Sequence, residues 1–307
     1  MEKLDSKKVP TDWRSRTKRM SFAFLMIFLF FTAVFYWLSV GLMSFYFLDD
    51  WGDDYGYYDD WDLDGWDCEY WVCSPYRYCA GGESIGIVTL YGELDTYSHD
   101  DWFVSSDVIM MHLNTLEKDA DIETVILLID SYGGYMVPAE EIANTLKSSG
   151  KQTVAVIREA GLSGAYLAAT GADTIYASRL SSVGSLGVTM SYLDHSEQRR
   201  EEGVRYLDIS SGRFKDAGDP DRPLDEEERE YLFGIVQDSH EIMVKMIAEN
   251  RGLNIEDVGR VADGRMMLGG EALEHGLIDE IGGLREVIEE LGKTAEDACE
   301  MYYPYSY

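Results

Sequence analysis

The 307-residue chain carries 57 acidic residues against 26 Lys and Arg, a formal net charge of −31. That balance excludes nucleic acid as a partner, because no basic stripe exists to neutralise phosphates, and it opposes close contact with anionic lipid headgroups. An acidic surface keeps a protein soluble and suits a salt-rich habitat, so the charge describes an environment and not a site.

Residues 1–19 form a short basic tail containing Lys3, Lys7, Lys8, Arg14, Arg16, Lys18 and Arg19. Residues 20–48 follow, twenty-nine positions without a charge. A helix crosses the hydrocarbon core with about 20 apolar residues, so this stretch predicts one transmembrane helix with room for tilt. A cleaved signal peptide is the competing reading. Its apolar stretch usually covers about 7–15 residues and ends in small ones, whereas this run is longer, bulkier and rich in aromatics. Lys and Arg stay cytoplasmic, and Asp49, Asp50, Asp53 and Asp54 open the far side. The expected topology is single-pass in the cell membrane, amino terminus inside and everything after residue 48 outside.

Residues 49–83 read as an acidic, aromatic stalk, with nine Asp between positions 49 and 67 and almost no aliphatic residue. Such a segment buries little apolar area and is expected to be solvated. Its oxygen ligands could serve calcium, but no EF-hand spacing is present and a solvated acidic linker is the plainer account. The four cysteines, Cys68, Cys73, Cys79 and Cys299, all fall outside the membrane on this topology, where disulfides persist. The first three have spacings that fit no paired C-x-x-C zinc pattern, so a local disulfide is expected and no metal. The pairing itself is not readable.

From residue 84 the pattern changes to strands alternating with helices. Ser84–Leu90, Thr124–Ile129, Thr153–Ile157 and Thr174–Ala177 read as strands, Thr124–Ile129 as a continuous apolar run of the kind buried on both faces. Helical spacing covers Asp100–Lys118, Pro138–Lys147, Gly164–Ala172, Leu224–Arg251, Gly269–Gly276 and Leu284–Leu291. This alternation predicts βαβ units and a mainly parallel sheet. The fold class is α/β, a mainly parallel sheet with flanking helices, preceded by the transmembrane helix. Residues 84–294 form the domain and 295–307 a carboxyl-terminal tail.

Three glycine-rich loops fall at carboxyl ends of predicted strands, the edge where open α/β sheets place ligands. They are Asp130–Gly134, Gly161–Ala165 and Gly184–Val188. Ser163 sits where a strand gives way to a helix of small residues, whose first N–H groups favour negative charge. A tetrahedral oxyanion needs two such donors, and the N–H groups of Gly133 and Gly164 are candidates because glycine permits close approach. Ser-Gly in a loop is, by itself, more often an ordinary turn. None of the five histidines lies in a comparable loop, so no Ser-His-Asp triad is evident. Of six lysines beyond the apolar run, five lie in helices or at their ends. Lys215 instead follows a predicted short strand, Tyr206–Ile209. A lysine serves as base only when neutral, which requires removal from water, and Ser-Lys pairs are a known variant of the triad.

Together these loops resemble the signal peptide peptidase A family, which shares the crotonase-like superfold with the Clp-type proteases. The resemblance covers residues 84–292. The family's (N/D)SPGG is similar to Asp130-Ser131-Tyr132-Gly133-Gly134, and its (A/M)ASGGY to Gly161-Leu162-Ser163-Gly164-Ala165-Tyr166. Its GS(L/I)GV appears as Gly184–Val188, and its lysine loop resembles Ser211–Lys215 through Asp219-Pro220. The late pattern is nearly complete in Ala262–Arg265, Gly269, Ala272 and Gly276–Gly282. Tyr132 replaces a proline and Ala165 a glycine; neither removes a catalytic side chain. The 52-residue step from Ser163 to Lys215 matches single-domain members.

The resemblance implies a crotonase/Clp-like fold and a serine endopeptidase without cofactor or metal. Ser163 would attack, Lys215 would carry the proton, and Gly133, Gly134 and Gly164 would hold the substrate and oxyanion. It also implies a homo-oligomeric ring, octameric, with dyads shared between neighbouring subunits. Signal peptides and other apolar peptides would be the substrates. Three alternatives stand beside it: a membrane serine protease of the stomatin-cleaving type, an inactive oligomeric scaffold, and an acidic stalk that captures cations.

Overall fold

The run Thr124–Ile129 lacks polar alternation because both of its faces are covered. Val125, Leu127 and Ile129 point into one hydrophobic cluster, Ile126 and Leu128 into another. The computed structural model describes residues 77–79, 82–97 and 103–301, so the predicted tail, transmembrane helix and most of the stalk lie outside the described residues. Among the described residues no helix is long and apolar enough to cross a membrane.

The strands are β1 (Arg77–Tyr78), β2 (Ile85–Asp95), β3 (Phe103–Ser105), β4 (Thr124–Gly134), β5 (Gln152–Leu162), β6 (Thr174–Ala177), β7 (Ser182–Gly184), β8 (Met266–Leu268), β9 (Glu280–Ile281) and β10 (Ala298–Glu300). The helices are α1 (Ser106–Lys118), α2 (Met136–Lys147), α3 (Gly164–Ala169), α4 (Ser196–Glu201), α5 (Glu226–Arg251), α6 (Ile255–Val261), α7 (Gly269–Glu274) and α8 (Leu284–Glu290). The sheet runs β1-β10-β2-β4-β5-β6-β9, and every pairing along that path is parallel. Only β8 runs antiparallel, against β7. The chain is thus a mixed α/β protein with a mostly parallel sheet and flanking helices.

One face of the sheet packs on Ile109 and Leu113 of α1, Ile142 of α2, Tyr166 of α3 and Ile247 of α5. The other packs Ile85, Ile87, Ile126, Leu128, Val154 and Val156 against Val287 and Ile288 of α8. Both central strands run past their apolar cores: β4 reaches Gly134 and β5 reaches Leu162. The loops predicted to begin at Asp130 and Gly161 are therefore the strands' own carboxyl ends.

One expectation is corrected. Tyr206–Ile209 is not a strand. It meets no neighbouring strand, and Leu207 and Ile209 are 81% and 97% exposed. Cys79 is bonded to Cys299, 220 residues away, a pairing that the sequence left open. The cause is topological, because the carboxyl-terminal β10 inserts between β1 and β2 and sets Cys299 opposite Arg77. Cys68 and Cys73 lie outside the described residues.

Candidate active site

At Ser163 the chain turns from β5 directly into α3. The serine has φ 52° and ψ −121°, a backbone that costs a side-chain-bearing residue of order 1–3 kcal/mol and persists only where surroundings impose it. They do so here. Its N–H donates to the Gly184 carbonyl at 2.8 Å, and its own carbonyl accepts from Leu167 at 3.0 Å. Gly184 ends β7, which pairs with β5 through Leu162. The loop at Gly184–Val188 thus backs the turn that displays Ser163, whose side chain is half-buried and makes no capping bond.

The end of β4 meets the same turn. Gly133 has φ +106°, and a β-carbon on it would fall 2.9 Å from Ser163 Cβ and 2.8 Å from the Leu162 carbonyl oxygen. Gly134, at φ +147°, lies so close to Leu94 that a β-carbon would meet its carbonyl at 2.2 Å. A β-carbon on Gly164 would approach the Gly134 oxygen at 3.3 Å. Of the five predicted site residues, Ser163, Gly133, Gly134 and Gly164 therefore converge. As the first residue of α3, Gly164 has an N–H without an intrahelical acceptor. The Gly133 N–H is differently placed: it donates to Ser131 Oγ at 3.1 Å, while that hydroxyl donates to the Gly92 carbonyl at 2.5 Å. Ser131 is fully buried, and its part in shaping this turn was not foreseen from the sequence. The neighbouring Asp130 carboxyl is pushed above its ordinary value by burial, against the opposing pull of the Ala160 N–H and Arg158. Tyr132, which precedes Gly133, is 77% exposed.

No hydrogen bond joins Lys215 to Ser163 among the described residues. Its side chain is exposed, and its amine makes no hydrogen bond or ion pair with a described residue. The residues around it are held firmly. Phe214 stacks on Tyr231 of α5, centroids 4.5 Å apart, and Arg213 pairs with Asp225 and with Glu228 at 3.1 Å. Arg222 donates to the Asp216 carbonyl at 2.6 Å and to Glu228 at 2.5 and 2.8 Å. Tyr206 donates to the Asp216 carboxylate at 3.1 Å. The amine is thus presented on an anchored turn while remaining uncovered. Among the described residues no group of three His, Cys, Asp or Glu side chains could hold a metal ion.

Behind the serine, Tyr166 of α3 is wholly buried and donates to the Leu277 carbonyl at 2.6 Å. Arg251 at the end of α5 pairs with Asp279 at 2.6 Å, and Asp279 accepts from the Ile175 N–H at 2.8 Å. The carboxyl-terminal end of α5 is in this way tied to the helix that carries the serine.

Fold and turn define the class: a parallel α/β domain that displays a strained serine at the carboxyl edge of its sheet. Within that class the profile of peptidase family S49 matches residues 145–297. A Methanocaldococcus jannaschii protein provisionally named a protease is 35% identical over 185 residues, covering 60% of each chain. An Enterococcus faecium protein provisionally named signal peptide peptidase SppA is 28% identical over 223 residues, covering 71% of this chain and 64% of that one. The chain thus spans about three fifths of the length of these relatives. Among solved structures, a serine-to-alanine variant of the 1510-N membrane-bound stomatin-specific protease is similar at a TM-score of 0.46 and 13% identity, covering 68% of this chain and 85% of that one.

Proposed function

We propose that the protein is a membrane-anchored serine endopeptidase of the crotonase/Clp type that cleaves signal peptide remnants and other apolar peptides. Residues 20–48 are its anchor, and the catalytic domain lies outside the cytoplasm. The observation that carries the reading is the strained, half-buried Ser163 set between Gly133 and the start of α3. The match of residues 145–297 to the peptidase family S49 profile supports it.

In this reading Ser163 Oγ attacks the scissile carbonyl carbon and its proton passes to the Nζ of Lys215. The oxyanion is met by the Gly164 N–H and by Gly133, whose N–H must turn from Ser131 Oγ or be shared with it. Collapse returns the proton to the leaving amine and leaves an ester on Ser163. Water then attacks the ester, again giving a proton to Lys215, which returns it to Ser163 Oγ as the intermediate collapses and the acid product departs. A basic lysine has to be shielded from solvent, and the described residues of this protomer leave Lys215 exposed. The cover, and the serine it serves, therefore belong to a neighbouring copy, so that the working unit is a homo-oligomeric ring of octameric size. The exposed Leu193, Leu207 and Ile209, which precede the lysine turn in the chain, suit burial between such copies.

The test is turnover of an apolar fluorogenic peptide by the full-length protein and by Ser163→Ala and Lys215→Ala. Each substitution is expected to lower kcat by about 10³-fold or more. Wild-type turnover in either variant would remove that residue from the mechanism.

A further inference from the structure

We infer that Glu228 is the positioning residue of the proton-carrying amine, gripping the chain on both sides of Lys215 through Arg213 and Arg222. The inference rests on the reading of Lys215 as the base. Glu228 lies in the first turn of α5 and has no solvent-exposed surface. A buried carboxylate is costly unless it is paired and fully hydrogen-bonded, and this one is. It accepts from Arg213 at 3.1 Å, two residues before the lysine, and from Arg222 at 2.5 and 2.8 Å. Arg222 in turn donates to the Asp216 carbonyl at 2.6 Å, the residue directly after the lysine.

The other charged and titratable groups at this junction bind one another. Asp225 and Glu227 flank Arg213, and Tyr206, beneath the Arg222 guanidinium, donates to Asp216. Lys215 alone among them points outward unpaired. Pairing with Arg222 holds the Glu228 carboxyl down at about 2, so its charge is present throughout the working range of pH.

The same side chain also closes a capping box, in which the Asp225 N–H donates to Glu228 at 3.3 Å and the Glu228 N–H to Asp225 at 2.9 Å. Capping and gripping can be separated chemically. Glutamine at this place still caps a helix but carries no charge to draw two guanidinium groups. Aspartate keeps the charge on a shorter arm.

The test uses the full-length protein, with active sites counted by stoichiometric serine labelling. kcat and KM for an apolar peptide are measured for wild type, Glu228→Gln, Glu228→Asp, Arg213→Met and Lys215→Ala. Glu228→Gln is expected to lower kcat per labelled site by about 10–100-fold with KM changed less than about twofold, since misplacing a reacting group by an ångström costs about that much. Glu228→Asp should recover part of the loss. Arg213→Met, at a half-exposed residue, should reproduce the direction should the glutamine variant not fold. Unchanged kcat per site in Glu228→Gln, or equal losses in the glutamine and aspartate variants, overturns the inference and leaves Glu228 a helix cap. An active Lys215→Ala overturns instead the reading of the base.

Discussion

Gly133 stands against Ser163 so closely that a β-carbon on the glycine would fall 2.9 Å from that of the serine. Gly133 also holds φ +106°, where an L side chain is strained. Two independent costs thus fall on the same substitution, and the atom crowded is the one that bears the nucleophile. Gly133→Ala is expected to reduce kcat by about 10²-fold or more, through displacement of Ser163 and of the N–H beside it. Its thermal midpoint should fall much less, because the change sits at a strand tip outside the main cluster. Peptide turnover and a melting curve on the same sample check this; full activity would mean that the contact is dispensable.

The sequence shows this junction only in part. Ser163 and its two glycine-rich partner loops were legible because each follows an apolar run that can only be a buried strand, and a parallel sheet gathers the strands' carboxyl ends at one edge. What was hidden is how far the strands continue. β4 keeps its ladder through Asp130 and Ser131 because the serine hydroxyl finds the Gly92 carbonyl, a partner supplied by another strand. Tyr206–Ile209 failed in the opposite sense: it has strand-forming residues but no neighbour to pair with. Cys79 and Cys299 are united by the place of β10 in the sheet, which spacing along the chain does not encode. Arg213 and Arg222 meet on Glu228 through an irregular loop, a convergence that no periodicity in the sequence encodes.

Glu228 also predicts an acid response. Its carboxyl is held at about 2 in the folded protein against an ordinary 4.5. A depressed carboxyl contributes stability that is complete above the higher value and is lost as pH falls through the lower one. Protection factors against hydrogen exchange at residues 206–228, corrected for the intrinsic rate at each pH, should accordingly fall between about pH 4.5 and 2 in wild type. Glu228→Gln should start from lower protection and change less over that interval. Parallel pH profiles in the two proteins would show that the pairing does not govern this loop.

The Cys79–Cys299 bridge closes a loop of 220 residues across the edge of the sheet. Cross-links that close long loops constrain the unfolded chain most, and losing one typically costs about 2–5 kcal/mol. The double variant Cys79→Ala, Cys299→Ala is expected to unfold at a lower denaturant concentration by an amount in that range. Activity per folded site should persist, because the bridge lies on the far side of β2 from the strands that carry Ser163. Equal denaturation midpoints would show that pairing of β1 with β10 suffices without the bond.

Lys215 is anchored but exposed and, among the described residues, no bond joins it to Ser163, so mixing is the most discriminating experiment for the proposed shared site. In a ring whose sites take serine from one copy and lysine from the next, each single variant is inactive for a different reason. A Lys215→Ala copy still offers the nucleophile, and a Ser163→Ala copy still offers the base. Where the first borrows from the second, a complete site forms. Random co-assembly in equal amounts places that pair at about one interface in four, so refolded mixtures should regain about a quarter of wild-type turnover. The double variant Ser163→Ala, Lys215→Ala mixed with either single variant should regain none. Sites built within one chain give the opposite result, because no mixture of the two single variants then contains a copy with both groups. Activity that stays at the level of the separate variants after verified co-assembly would return the base to the serine's own subunit.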